Sequence, residues 1–121
     1  MERARPPEDI SPYDFFTRWV PEAVASDPDR RTRLADTRAT IEFRLIHVEA
    51  PDEVYALEIE EGLVAARPGE AVEPELRVRV GLDTWRALNR GDIAAPQALL
   101  ARRLRIEGSF VLGLKLHLIL S

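Results

Sequence analysis

Cysteine is absent from this sequence, so neither a disulfide bond nor a thiolate metal site can form. A chain without cysteine is compatible with a reducing compartment, and we expect a cytoplasmic protein. The first ten residues are polar and lack an apolar core, so we expect no signal peptide. No run of about 18 apolar residues is present, so we expect no membrane-spanning helix.

Residues that carry catalytic chemistry are also scarce. The only two histidines, His47 and His117, have no set of carboxylates at ligand spacing around them, which argues against a metal site. Ser109 follows a glycine, but no residue is placed to act as its base. No glycine-rich phosphate loop is present. We therefore predict no catalytic residue, no metal and no cofactor.

Lysine is almost missing: the sequence contains one lysine, Lys115, and sixteen arginines, and its net charge is −4. The acidic balance argues against nucleic acid as a partner. Positive charge is nevertheless concentrated late in the chain, with seven arginines between Arg77 and Arg105. That stretch is compatible with transient contact with a membrane surface, but it favours an ordinary solvated surface.

The length of the chain and its pattern of apolar residues predict one small α+β domain. At 121 residues the chain is of single-domain length. Residues 1–10 predict a disordered arm because they combine two prolines with mixed charge, and residues 11–121 predict the domain. Ser11 followed by Pro12 is typical of a helix start. Pro21 predicts a kink there or two short helices, and a further helix is expected near Pro28.

Alternating apolar residues predict strands over 40–47, 53–60, 63–67 and 75–82, the second and third joined by a turn at Glu61-Gly62. Such one-sided alternation indicates an antiparallel sheet with one wet face. Asp83 is expected to cap a helix that Gly91 ends, and Pro96 to open another, "PQALLARR". "LRIEG" predicts a fifth strand. Periodicity alone leaves the apolar tail at 110–120 open between strand and helix, and favours strand.

Four ordered pieces resemble the sterol carrier protein type 2 family: "ALEIEEGLVAARPG", "EPELRVRVGLDTWRAL", "LNRGDIAAPQALL" and "RRLRIEGSFVLGLKL". The resemblance implies a five-stranded, mostly antiparallel sheet covered on one face by helices, with an apolar tunnel between them. It also implies that the tail is a helix forming one wall of that tunnel. Many members carry glycine where this chain has Arg102, and "RRLRIEG" is similar to a branch that assists ubiquinone biosynthesis.

The resemblance implies non-enzymatic binding or transfer of a fatty acyl chain, an acyl-CoA, a sterol or an isoprenoid quinone. A polar head group would meet Arg102 or Arg103 at the tunnel mouth. For single residues such as Trp85, plain core and cavity lining stay open. The side chains expected to contact the ligand are Phe43, Leu45, Leu57, Val78, Val80, Trp85, Leu88, Leu99, Leu100, Phe110, Leu114 and Leu118.

Two other function classes stay open on the sequence. The chain could be a structural or assembly module with a filled core that dimerises or supports a partner enzyme, so both a monomer and a homodimer are compatible. It could also be a small enzyme with Glu58 or Asp83 as a base. That reading requires an inward carboxylate, and the strand alternation turns Glu58 outward.

Overall fold

The computed structural model describes residues 5–120 and contains one five-stranded sheet. The strand order is β3-β2-β1-β4-β5; β1 and β4 run parallel, and the other neighbours are antiparallel. The α+β fold with a mostly antiparallel sheet is therefore confirmed. The strands are β1 Ala39–Ile46, β2 Glu53–Glu60, β3 Leu63–Pro68, β4 Leu76–Gly81 and β5 Leu104–Gly108.

Helices precede the sheet, separate its last two strands and follow it. The helical segments are α1 Pro12–Asp14, a π-helix Phe15–Trp19, α2 Val20–Ser26, α3 Pro28–Leu34, α4 Leu82–Arg90, α5 Ala95–Leu100 and α6 Phe110–Leu120. The first three run on from one another, so Pro21 does not divide the segment into two helices. Pro21 has no N–H to donate, and just before it the N–H of Val20 bonds five residues back to the carbonyl of Phe15.

The strand alternation predicts the buried face of the sheet correctly. Ile41, Phe43 and Leu45 of β1 are all buried, while Arg77 and Arg79 of β4 are exposed on the opposite face. The solvent-exposed face has two exceptions, its register partners Ala56 at 1% exposure and Glu42 at 5%. The carboxylate of Glu42 accepts a hydrogen bond of 3.1 Å from the backbone N–H of Ala71, because the β3–β4 connection folds over this part of the sheet.

The start of α4 and the end of α5 differ from the sequence prediction. The cap of α4 is Gly81, and Asp83 lies inside the first turn, where its charge still favours the positive end of the helix. The C-terminal end is as predicted: Gly91 adopts the left-handed conformation with a φ of 80°. Helix α5 stops at Leu100, earlier than expected, because Arg102 has a φ of 60° and turns the chain into β5.

Gly108 sets the direction of the C-terminal tail. Its φ is 111°, and a Cβ atom there would lie 2.3 Å from the carbonyl oxygen of Glu75, so no other residue fits without a shift of the backbone. The next residue, Ser109, donates its N–H to the same carbonyl, and its hydroxyl accepts from the N–H of Leu112 in the first turn of α6. The tail is therefore a helix, and the strand that periodicity favours is wrong.

Helix α6 is fixed to the domain by a buried cation. Arg30 of α3 is 1% exposed, and its Nε donates a 2.8 Å hydrogen bond to the carbonyl of Ile119 in the last turn of α6. The guanidinium also lies 5.4 Å from the ring centre of Trp19. A cation at this end of a helix satisfies a carbonyl that has no partner within the helix.

Candidate ligand-binding cavity

A cavity of about 390 Å³ lies between the buried face of the sheet and the helices. Its size is within the range of small-molecule sites, about 300 to 1,000 Å³. Strands β1, β4 and β5 form one wall, the π-helix and α4 the opposite wall, and α6 a third. The lining residues are Arg5, Pro6, Phe15, Phe16, Phe43, Leu76, Val78, Val80, Trp85, Leu88, Asn89, Gly91, Ile93, Ala94, Ala95, Leu104, Ile106, Gly113, Leu116, His117 and Leu120.

Aromatic rings form a rigid part of the wall. The ring of Phe16 lies 4.8 Å from that of Phe43 on β1 and 6.2 Å from that of Trp85 on α4, measured between ring centres. Phe15 meets Trp85 edge-on at 5.4 Å. Such contacts hold the side chains in fixed positions. The π-helix and α4 are therefore joined through the wall of the cavity.

The inward face of α4 carries Trp85, Leu88 and Asn89, which are spaced at three and four residues and so lie on one side of the helix. Trp85 and Leu88 are also among the residues expected from the sequence. Asn89 is not, although its place at the fourth residue after Trp85 is a signal that could have found it. The N-terminal part of the lining, Phe15 and Phe16, was also missed, because it lies before the segment that carries the family resemblance.

The structure brings together five of the expected contact residues: Phe43, Val78, Val80, Trp85 and Leu88 all line the cavity. Their contact with a ligand stays a prediction. Helix α6 contributes a different set from the one expected, because its inward face carries Leu116, His117 and Leu120.

The other expected residues lie elsewhere. Leu45 and Leu57 are packed in the core, at 0% and 1% exposure, and do not line the cavity. On α6, three expected residues share the outer face of the helix because they are four residues apart; these are Phe110, Leu114 and Leu118, each about half exposed. In α5, Leu99 is half-buried and Leu100 is exposed, and neither lines the cavity.

The two expected head-group residues also lie outside the lining. Arg102 and Arg103 are exposed. The Nε of Arg103 donates a 3.2 Å hydrogen bond to the hydroxyl of Thr84, which holds it at the first turn of α4. Their role toward a head group remains a prediction. Arg5, in contrast, does line the cavity, from the part of the predicted arm that the structure describes; residues 1–4 of that arm lie outside the described residues.

Side chains that carry other chemistry are separate from the cavity. His47 contacts Glu53 at 2.6 Å, and Tyr55 donates to the other oxygen of the same carboxylate at 2.6 Å. This is one carboxylate for one histidine, and residues 5–120 hold no cluster of potential metal ligands. Glu58 and Asp83, the carboxylates of the enzyme hypothesis, are exposed and do not line the cavity.

A family profile described as the SCP-2 sterol transfer family matches residues 20–121. That match covers α2 through α6 and thus every strand of the sheet. The chain belongs to the SCP-2 sterol transfer family. The earlier part of the cavity wall, Phe15 and Phe16, lies outside the matched segment. No curated protein matches this SCP-2 family member.

Solved structures share the fold of this SCP-2 chain at low identity. Sterol carrier protein 2 from Yarrowia lipolytica, in its apo form, has a TM-score of 0.67 and 14% identity, covering 84% of this chain and 83% of that one. Palmitated SCP2L2 from Aedes aegypti has a TM-score of 0.67 and 19% identity, covering 84% and 87%. The inverting sec-alkylsulfatase Pisa1 from Pseudomonas sp. has a TM-score of 0.66 and 18% identity. There the match covers 92% of this chain but only 16% of the enzyme, so the fold also occurs as one part of a larger enzyme.

The helices of the described part of the chain are all too short or too polar to cross a membrane. The family membership supports binding or transfer of a lipid or sterol as the activity of this fold.

Proposed function

We propose that this chain binds a hydrophobic lipid in the cavity between its sheet and helices, without catalysis, and transfers it. The observation that carries the proposal is the cavity itself, about 390 Å³ and lined mostly by apolar side chains. An unfilled apolar space destabilises a protein, because the atoms of its wall lose dispersion contacts. A bound acyl chain restores those contacts and gains about 0.8 kcal/mol for each buried CH₂ group before ordering costs.

The candidate ligands are a fatty acyl chain, an acyl-CoA, a sterol and an isoprenoid quinone. The structure of the Aedes aegypti relative is described as palmitated, which supports an acyl chain as the first ligand to test. The exposed positions of Glu58 and Asp83 leave the cavity without the carboxylate base that the enzyme hypothesis requires.

Tryptophan fluorescence tests the proposal. Trp85 lines the cavity and Trp19 does not, so a Trp19→Phe variant reports on the cavity alone. Palmitate should change its emission saturably, at micromolar concentration or below. The matched control, Trp85→Phe, retains only Trp19 and should respond weakly. Lipid binding would be contradicted if palmitate, acyl-CoA, sterol and quinone all leave the emission unchanged and native mass spectrometry of the folded protein finds no retained lipid.

A second candidate is an assembly module, and one observation favours it. The outer face of α6 exposes a group of large apolar side chains, Phe110, Val111, Leu114 and Leu118. Apolar groups of this kind commonly mark contact surfaces, and a symmetric dimer would pair this face with its own copy. Light scattering on the same samples distinguishes the candidates: a stable dimer with no lipid response would favour assembly.

A further inference from the structure

Asn89 is a polar residue in an apolar wall. It lies in the last turn of α4, on the inward face that it shares with Trp85 and Leu88, and it lines the cavity. Its Nδ2 atom is fully buried, and within residues 5–120 it has no hydrogen-bond partner. A buried donor without an acceptor costs about 1 to 3 kcal/mol, because the group has lost its water. Leucine would form a better helix at this position and would pack without that cost.

The other polar side chains of the lining are Arg5 and His117, and neither bonds to Nδ2 of Asn89. The residues that follow Asn89 in the chain and also line the cavity are Gly91, Ile93, Ala94 and Ala95, whose side chains carry no acceptor and are mostly small. A trapped water needs two to four polar partners, and these side chains provide none. Rotation of the amide about its Cβ–Cγ bond would turn Nδ2 to the cavity, where an oxygen atom brought by the ligand accepts from it and removes the cost of the buried donor.

We infer that Asn89 donates a hydrogen bond to an oxygen of the bound lipid, so that the cavity selects lipids that carry an acceptor oxygen over pure hydrocarbons. This inference rests on the proposed function and adds to it the residue that binds the polar end of the lipid inside the cavity, here called the polar anchor. The oxygen-bearing end of the ligand lies at the α4–α5 connection, beside Gly91 and Ala94. This anchor is distinct from Arg103, which is bonded to Thr84 at the other end of α4, about 7.5 Å away along the helix axis.

A matched pair of fluorescent probes tests the inference. Diphenylhexatriene is a pure hydrocarbon, and its propionic acid derivative adds only a carboxyl-bearing tail. The measured quantity is the ratio of their dissociation constants in the wild type and in Asn89→Leu. Loss of one hydrogen bond should weaken binding of the acid about tenfold, while diphenylhexatriene binds equally well or more tightly. Asn89→Asp keeps the shape but replaces the donor by a carboxylate, and should weaken the acid probe at least as much.

Three results would overturn the inference. If both probes bind and their ratio is the same in Asn89→Leu as in the wild type, Asn89 makes no such bond while the lipid-binding function stands. If neither probe nor palmitate binds the wild type, the inference falls together with the proposed function. If the substituted proteins fail to fold, the side-chain amide of Asn89 is followed in the wild type by ¹⁵N–¹H NMR. A downfield amide proton shift with the acid and not with the hydrocarbon supports the bond, and equal shifts overturn it.

Discussion

The phenol of Tyr55 shows how the environment of one residue changes its chemistry. The side chain is 3% exposed on β2 and donates its proton to Glu53 at 2.6 Å. Burial raises the pKa of Tyr55, since a phenolate would be poorly solvated there, and the hydrogen bond to the Glu53 carboxylate raises it further. The phenol therefore stays protonated in the folded protein at a pH where an unfolded tyrosine ionises.

We expect this difference to make the protein less stable in alkali. Above a pH of about 10 the unfolded state releases the Tyr55 proton while the folded state keeps it, so the free energy of unfolding falls as the pH rises. In Tyr55→Phe the fall should be less steep, by up to about 1.4 kcal/mol per pH unit. Urea unfolding between pH 8 and 11 measures the slope. Equal slopes in Tyr55→Phe and wild type would show that Tyr55 ionises alike in both states.

Single residues on the strands were predictable because their rule is local. Alternation places Phe43, Val78 and Val80 on the buried face, where they line the cavity, and it turns Glu58 outward. Glu42 breaks the rule, since its burial depends on a distant connection that folds over it. Asn89 was missed because a polar residue near the end of a helix is normally read as solvent-exposed.

At the scale of elements, the inward face of α6 could not be predicted from the sequence. Apolar residues occur on every side of the helix despite Lys115 and His117, so periodicity gives no inward stripe and does not separate Leu116 from Leu114 or Leu118. The inward face is decided by long-range contacts instead. The turn at Gly108 sets the direction of α6, and the hydrogen bond from Arg30 fixes the last turn of the helix. Near the middle of α6, Lys115 donates a 2.6 Å hydrogen bond to Thr37. None of these contacts is visible in the local sequence.

Arg30→Met tests the attachment of α6 to α3. The substitution keeps most of the side-chain volume but leaves the Ile119 carbonyl without its 2.8 Å donor, so we expect a loss of about 1 to 3 kcal/mol in urea unfolding. Hydrogen exchange of the α6 amides should accelerate more than that of the strands. Arg31→Met, next to it on the same helix but exposed, is the matched control and should change stability by less than about 0.5 kcal/mol. Unchanged or greater stability of Arg30→Met would mean that burying the charge costs more than the bond contributes.

For the whole molecule, the cavity that ligand binding requires lowers the stability of the ligand-free fold. The sheet and the packed aromatic rings of the π-helix and α4 surround a space that is not used for packing. Filling such a space commonly stabilises a protein and removes function that depends on it. The apolar tunnel implied by the family resemblance stays a prediction, because the volume and the lining of the cavity depend on how α6 and the π-helix meet the sheet.

Substitution of Gly113 tests whether filling the cavity raises stability and weakens ligand binding. Gly113 lines the cavity from α6, and a Cβ atom there would be in ordinary contact, 3.7 Å from the Cδ1 of Ile106, so a larger side chain extends into open space. Gly113→Leu should raise the free energy of unfolding of the lipid-free protein, both by filling the cavity and because leucine is a better helix former by about 0.8 to 1 kcal/mol. It should also weaken palmitate binding at least tenfold, whereas Gly113→Ala adds the helix propensity with little loss of space. Differential scanning calorimetry and palmitate titration of both variants measure the two effects. If Gly113→Leu folds and binds palmitate as tightly as Gly113→Ala does, the lipid does not occupy this cavity.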